Sequence, residues 1–183
     1  YYKNDDINDY IIIRKVGSGV YSSVYKCIKD NKIYAMKVYN KDEYYDLAGN
    51  MEIEILNHLI ESKYFPNIYD NFVYDECVHI IEEFLNKNVE EQLNYNTYGL
   101  VAIKRYAVQL LNAIKDMDNT KRPLIHTDLK PDNIIIYNKS IKIIDFSNGL
   151  YKDDYSYRHN LKLYEKIIKL FNYCLDEPQI PYI

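Results

Sequence analysis

Apolar positions along the chain follow two rhythms, a period of two and a period of 3.6, and the switches between them predict its elements. Tyr10-Ile11-Ile12-Ile13-Arg14-Lys15-Val16 is a β-branched run that stops at Gly17, and after a turn at Asp30-Asn31-Lys32 the stretch Ile33-Tyr34-Ala35-Met36-Lys37-Val38-Tyr39 alternates. Between them, Gly17-Ser18-Gly19-Val20-Tyr21-Ser22-Ser23-Val24-Tyr25 reads as a glycine turn that runs into a strand. From Asp42 to Ser62 the period lengthens, with Ile55, Leu56, Leu59 and Ile60 on one helical stripe. Phe65-Pro66-Asn67 breaks that helix, and two strands follow, Ile68 to Tyr74 and Val78 to Phe84, around a turn at Asp75-Glu76. Val101, Ala107, Val108, Leu110, Leu111, Ile114 and Met117 predict a long helix from Tyr98 to about Met117 with these residues in the core. Ile134 to Tyr137 and Ser140 to Ile144 form a hairpin around Asn138-Lys139, and Leu161, Tyr164, Ile167, Ile168 and Phe171 mark one more amphipathic helix. Tyr1 to Tyr10, acidic and without period, reads as a loose leader.

Composition narrows what such a chain can do. With 183 residues, 48% of them hydrophobic, it can fill one core or two small lobes that share a cleft, but not two domains of ordinary size. A formal net charge of -4 and a pI near 5.6 give none of the basic excess that a nucleic-acid partner requires. Cys27, Cys77 and Cys174 are odd in number and lack metal-ligand spacing, so they read as buried thiols of a reducing compartment. No apolar run approaches the ~20 residues that span a bilayer. The expectation is a soluble intracellular protein, cytoplasmic or nuclear, with neither nucleic acid nor membrane as partner.

Four polar features stand out against this background. Lys37 sits in the middle of an apolar strand, where it is either an exposed edge residue or an ammonium that needs a partner. Glu52 lies one helical turn before Leu56 and so faces the sheet, while Glu54, the other acid within reach, points away from the stripe. His126-Thr127-Asp128-Leu129-Lys130-Pro131-Asp132-Asn133 gathers a carboxylate, an ammonium and an amide on one loop before a buried strand. Asp145 ends an isoleucine-rich strand in Asp145-Phe146-Ser147-Asn148-Gly149, a costly place for an acid unless it binds something, and a magnesium ion is the natural ligand.

Taken in order, the glycine turn, strand lysine, helix glutamate, HxDxKxxN loop and DF-S turn resemble the protein kinases over nearly the whole chain. The resemblance implies an α+β, two-lobed fold: a small antiparallel-sheet N-lobe with one helix over about 10–82, a hinge at about 82–88 and a mainly helical C-lobe over about 89–183. It implies an ATP-dependent, magnesium-requiring serine/threonine kinase in which Asp128 takes the acceptor's hydroxyl proton and Lys130 offsets phosphate charge. Lys37, aimed by Glu52, would meet the α- and β-phosphates, and Asn133 and Asp145 would hold the metal. ATP would lie against Gly17, Ser18, Gly19, Val24, Ala35, Lys37, Glu83, Leu85 and Ile135. The position guarding the back of the pocket falls on Glu82 or, one residue earlier, Ile81.

Within the family, Lys130 is the serine/threonine form. Thr127 in place of arginine, Ala35-Met36-Lys37-Val38 and Asp145-Phe146-Ser147-Asn148-Gly149 resemble the SR-protein kinases and their Cdc2-like relatives, which suggests an Arg-Ser-rich protein substrate. Without that arginine, a phosphate beside Asp128 would lack its usual cation. Ser147 replaces a glycine, and after Gly149 there is no Ala-Pro-Glu motif, so the C-lobe is expected to be short or completed by a partner. A kinase-like regulator of another kinase, or a small-molecule kinase of the same fold, are the readings that compete.

Overall fold

The computed structural model describes residues 1–85 and 99–154. The first part is a six-stranded antiparallel sheet of order β1-β2-β3-β4-β6-β5, made by β1 (Asp6–Ile7), β2 (Tyr10–Ser18), β3 (Ser22–Lys29), β4 (Lys32–Tyr39), β5 (Ile68–Tyr74) and β6 (Cys77–Glu83). Helix α1 (Glu43–His58) enters between β4 and β5. The second part holds the long helix α2 (Leu100–Asp118), a hairpin of β8 (Ile134–Tyr137) and β9 (Ser140–Ile143), and the short pair β7 (Leu124–Ile125) and β10 (Leu150–Tyr151).

Two-residue turns set the sheet's register. Asn8-Asp9, Asp30-Asn31, Asp75-Glu76 and Asn138-Lys139 all carry positive φ at both central positions, the geometry whose twist matches that of flanking strands. Asn and Asp tolerate this backbone because their short polar side chains bond locally. The loose leader is not observed: β1 pairs with β2, and the Tyr1 ring packs against Tyr25 and His79. Aromatic packing on the sheet's outer face outweighs the segment's polar composition.

Ile12, Tyr25, Cys27, Met36 and Ile81 form the core of that outer face. The inner face receives α1, whose Asp42 cap accepts a hydrogen bond from Tyr44 N at 2.9 Å. Gly49 lets the helix come close, since a Cβ there would stand 3.0 Å from both the Tyr39 ring and Val78. The same helix turns Ile55, Leu56 and Leu59 into a second core, shared with Phe65, Leu110, Met117, Ile134, Ile143 and Phe146. α1 therefore has one flank on the sheet and one on the helical part, and it joins the two layers.

Along α2 the buried stripe is Leu110, Ala113 and Met117, with Ile114 and Tyr106 beside it. Val101, Val108 and Leu111, expected in the core, are exposed, because more apolar residues surround this helix than its one packed face can take. Cys27 is buried as expected and Cys77 only half so. The helix marked by Leu161 to Phe171, part of the hinge segment and Cys174 lie outside the described residues. Among the described residues, no helix is long and apolar enough to cross a membrane.

Candidate active site

Strand period and sheet register bring the first cluster together. Lys37 lies opposite Val24 on β3 and Ile80 on β6, and Ala35 lies opposite Glu82, so all five share the inner face. Lys37 is 4% exposed, and its ammonium meets Glu52 Oε2 at 2.7 Å and Asp145 Oδ1 at 2.8 Å. The paired alternative is thus observed, with Glu52 and not Glu54 as the helical partner. Glu52, 1% exposed, also accepts a hydrogen bond from the Tyr39 hydroxyl and one of 2.8 Å from Phe146 N. Burial by itself would push the Lys37 ammonium down; Glu52, Tyr39 and Asp145 outweigh it and hold the group charged, well above the ordinary lysine range. Burial would likewise raise the Asp145 carboxyl, yet Lys37 and the Ser147 hydroxyl, 2.6 Å away, keep it well below the usual carboxylate range.

A second cluster sits on the loop before β8. Lys130 Nζ donates to Asp128 Oδ2 at 2.7 Å, and Asn133 Nδ2 donates to the Asp128 carbonyl at 2.9 Å and to its Oδ2 at 3.3 Å. Pro131–Asn133 forms a single 3-10 turn, which brings the amide back over the aspartate. Backbone bonds join the two clusters: Ile144 N donates to Asn133 O at 2.9 Å, and His126 Nε2 donates to Ile144 O at 2.9 Å. Burial lowers the His126 pKa, so the imidazole is held neutral next to the residue that precedes Asp145.

Two residues hold left-handed backbone here. Asp145 has φ 68°, so the turn's conformational demand falls on the aspartate and Ser147 keeps a negative φ. Thr127 has φ 63°, strained for a β-branched side chain, and its hydroxyl donates to Asn148 O at 2.8 Å. A hydroxyl thus ties the loop that carries Asp128 to the turn after Asp145.

The remaining residues expected at the site lie on or next to β2, β6 and the β8–β9 hairpin. Gly17 pairs with Val24, and neither Gly17 nor Gly19 has positive φ. A Cβ at either glycine would meet nothing within 4 Å. Ser18 is exposed at the end of β2, and Leu85 is half-buried after β6. Ile135 is buried, opposite Lys142, on the hairpin face away from Ile134 and Ile143. Lys142 pairs with Glu83 at 2.7 Å and donates to Phe65 O at 2.8 Å, which fastens the end of β6 to the lower hairpin. Among the described residues, no three His, Cys, Asp or Glu side chains gather for a metal.

A protein-family model of the protein kinase domain matches residues 10–177. The chain belongs to this family. Its kinase domain is 29% identical over 164 residues to the human dual specificity tyrosine-phosphorylation-regulated kinase 4, an alignment that covers 82% of this chain and 31% of that protein. It is 30% identical to serine/threonine-protein kinase ppk15 of Schizosaccharomyces pombe, with 81% and 30% covered. It is 32% identical to a probable dual specificity YAK1 homolog of Encephalitozoon cuniculi, with 77% and 37% covered. The chain therefore spans about a third of the length of these relatives. A crystal structure of a kinase domain superposes with a TM-score of 0.75 at 26% identity, covering 85% of this chain and 56% of that one. The two-lobed kinase fold is shared.

The register also separates Glu82 from Ile81, the two residues expected at the back of the pocket. Glu82 shares the face of Ala35 and Lys37, whereas Ile81 lies opposite Met36 and is fully buried in the outer-face core. Burial, with Glu52 nearby, raises the Glu82 carboxyl to about 8 against a partly compensating pull from Lys37. A carboxyl whose pKa is raised by folding leaves its contribution to stability intact below the ordinary glutamate range and loses it as pH rises to about 8. The melting temperature should therefore fall between pH 5 and 8 in the parent, more than in Glu82→Gln, and parallel curves would show that Glu82 ionises as an ordinary glutamate.

Sequence patterns missed three contributors. Tyr39, two residues beyond Lys37 and so on its face, was legible from strand period alone; Thr127's bond to Asn148 and Tyr151's contacts with α1 join segments far apart and leave no local trace.

Proposed function

We propose that this kinase domain transfers the γ-phosphoryl group of ATP to a serine or threonine hydroxyl of a protein, with magnesium. The observation that carries the reading is Lys37 Nζ held between Glu52 and Asp145 at 2.7 and 2.8 Å. Three charged groups from a strand, a helix and a strand end have no packing reason to meet, and burial of two of them, Lys37 and Glu52, is costly.

Lys37, fixed by Glu52, presents its positive charge to the nucleotide's phosphates. Asp128 accepts the substrate hydroxyl's proton as that hydroxyl oxygen attacks the γ-phosphorus and the bond from phosphorus to the β–γ bridging oxygen breaks to release ADP, and Lys130, 2.7 Å from Asp128, offsets charge on the group in transfer. The donor set suits a hard divalent cation: Asp145 is held ionised, and Asn133 spends its amide nitrogen on Asp128, which leaves the carbonyl oxygen on the opposite side. Magnesium bound there would neutralise the phosphates and take its other ligands from them and from water. The backbone of Glu83 and Leu85, with Val24, Ala35 and Ile135 above and below, supplies the adenine slot, and Gly17 to Gly19 cover the phosphates.

Serine/threonine preference rests on Lys130, and the SR-protein and Cdc2-like grouping on Thr127 and the turn from Asp145 to Gly149. Activation without a phosphate beside Asp128 follows from Thr127, whose hydroxyl bonds the turn directly. The test is labelled ATP and magnesium with basic, Arg-Ser and tyrosine-containing peptides, beside Asp128→Asn. Transfer to serine or threonine, lost in the variant, supports the reading; nucleotide binding without transfer favours a regulator of another kinase.

A further inference from the structure

Beyond the residues of the reaction, the segment after Asp145 is docked on α1 at three successive places. Phe146 N donates to Glu52 Oε1 at 2.8 Å. Gly149 lies against Ile55 so closely that a Cβ would stand 2.6 Å from its Cδ1. The Tyr151 hydroxyl then donates to Glu54 Oε1 at 2.5 Å and lies 3.1 Å from His58 Nδ1. Glu52, Ile55, Glu54 and His58 span under two turns of α1, so the helix that carries Glu52 is gripped by one short piece of chain.

Tyr151 is itself fixed from other sides. It is fully buried, and its backbone pairs with Leu124 through the β7–β10 ladder. The Arg122 guanidinium lies 3.8 Å from its ring centroid, with Arg122 Nε 2.9 Å from Asp153. Burial and then Glu54 hold the phenol well above its ordinary range, so the hydroxyl keeps the proton it donates. A ring at this place would fill the core whether or not it carried oxygen, but the hydroxyl reaches an acid of α1 that the sheet does not use.

We propose that Tyr151 is a positioning residue that clamps α1, through Glu54 and His58, in the orientation that keeps Glu52 on Lys37. This rests on the kinase reading for its catalytic consequence but not for the clamp itself. The link joins helix and segment by a charge-assisted bond from a side chain that is always present. The helix and the segment then move as one unit.

The experiment compares the full chain with Tyr151→Phe, which retains the ring under Arg122, and with Glu54→Gln, Glu54→Leu and the double variant Tyr151→Phe/Glu54→Leu. Deuterium uptake of the peptide over 43–58, melting temperature, and kcat and KM for ATP are read for each. Tyr151→Phe should expose α1 to faster exchange, lower kcat about tenfold, the size of one charge-assisted bond, and lower the melting temperature by only a few degrees. Glu54→Gln, which keeps an acceptor oxygen, should recover most of the parent's behaviour. The double variant should be no worse than either single one, because both remove the same link. Unchanged α1 exchange in Tyr151→Phe, or losses that add in the double variant, would overturn the clamp. If Tyr151→Phe does not fold, the two Glu54 variants decide the matter with Tyr151 in place. A parent that transfers no phosphate would defeat the kinase reading alone, since α1 exchange still reads the clamp.

Discussion

Asp128→Asn is expected to abolish phosphoryl transfer, by about a thousandfold or more, with ATP affinity unchanged within about twofold. Asparagine keeps the shape and can still accept the bond from Lys130, now 2.7 Å from the Asp128 carboxylate. It cannot take a proton from an attacking hydroxyl. Nothing else in the site should move, because Asp128 is positioned by its backbone N–H on His126 O and by Asn133 on its carbonyl, and neither contact needs the charge. Calorimetric ATP titration beside the transfer assay separates the two effects. Turnover equal to the parent's would remove Asp128 from the chemistry.

Glu52→Ala should cost the protein most in stability, about 3–5 kcal/mol in a urea titration, and reduce transfer to background. Glu52 is 1% exposed and satisfies three groups at once: the Lys37 ammonium, the Tyr39 hydroxyl and the Phe146 N–H. Its removal leaves Lys37, itself 4% exposed, with Asp145 alone, and strands two further donors in the core. Glu52→Gln should lie between the two, since the amide oxygen can still serve Tyr39 or Phe146 but carries no charge for Lys37. A loss below about 1 kcal/mol would mean that water reaches the buried cluster freely.

Much of this was written in the chain. Asp30-Asn31, with Asp75 and Asn138 at the first position of the other two turns, marked the hairpins, since few side chains accept the backbone such turns need; Glu76 and Lys139 adopt it without that preference. Lys37 announced itself as a cation in an apolar strand, and Glu52 as the acid on the helix's apolar flank, because period and face are local properties. The exposed side of α2 was less legible: Val101, Val108 and Leu111 fit the helical period yet lie on the surface, and only the packed partners decide which apolar stripe is buried. The order of the first ten residues leaves no local trace for a related reason, as the Tyr1 ring finds Tyr25 and His79 only after the sheet has formed. Glu54 pointed away from the sheet as expected, but its partner Tyr151 lies 97 residues on, beyond the reach of any local pattern.

The central claim is that Lys37, Asn133 and Asp145 serve one nucleotide and one metal, and ATP titration with and without magnesium tests it most directly. Magnesium should tighten ATP binding to the parent, while in Asp145→Asn, where the carboxylate charge is gone, that gain should be largely lost and ATP alone should bind no worse. An Asp145→Asn protein with the parent's full magnesium dependence would contradict the claim.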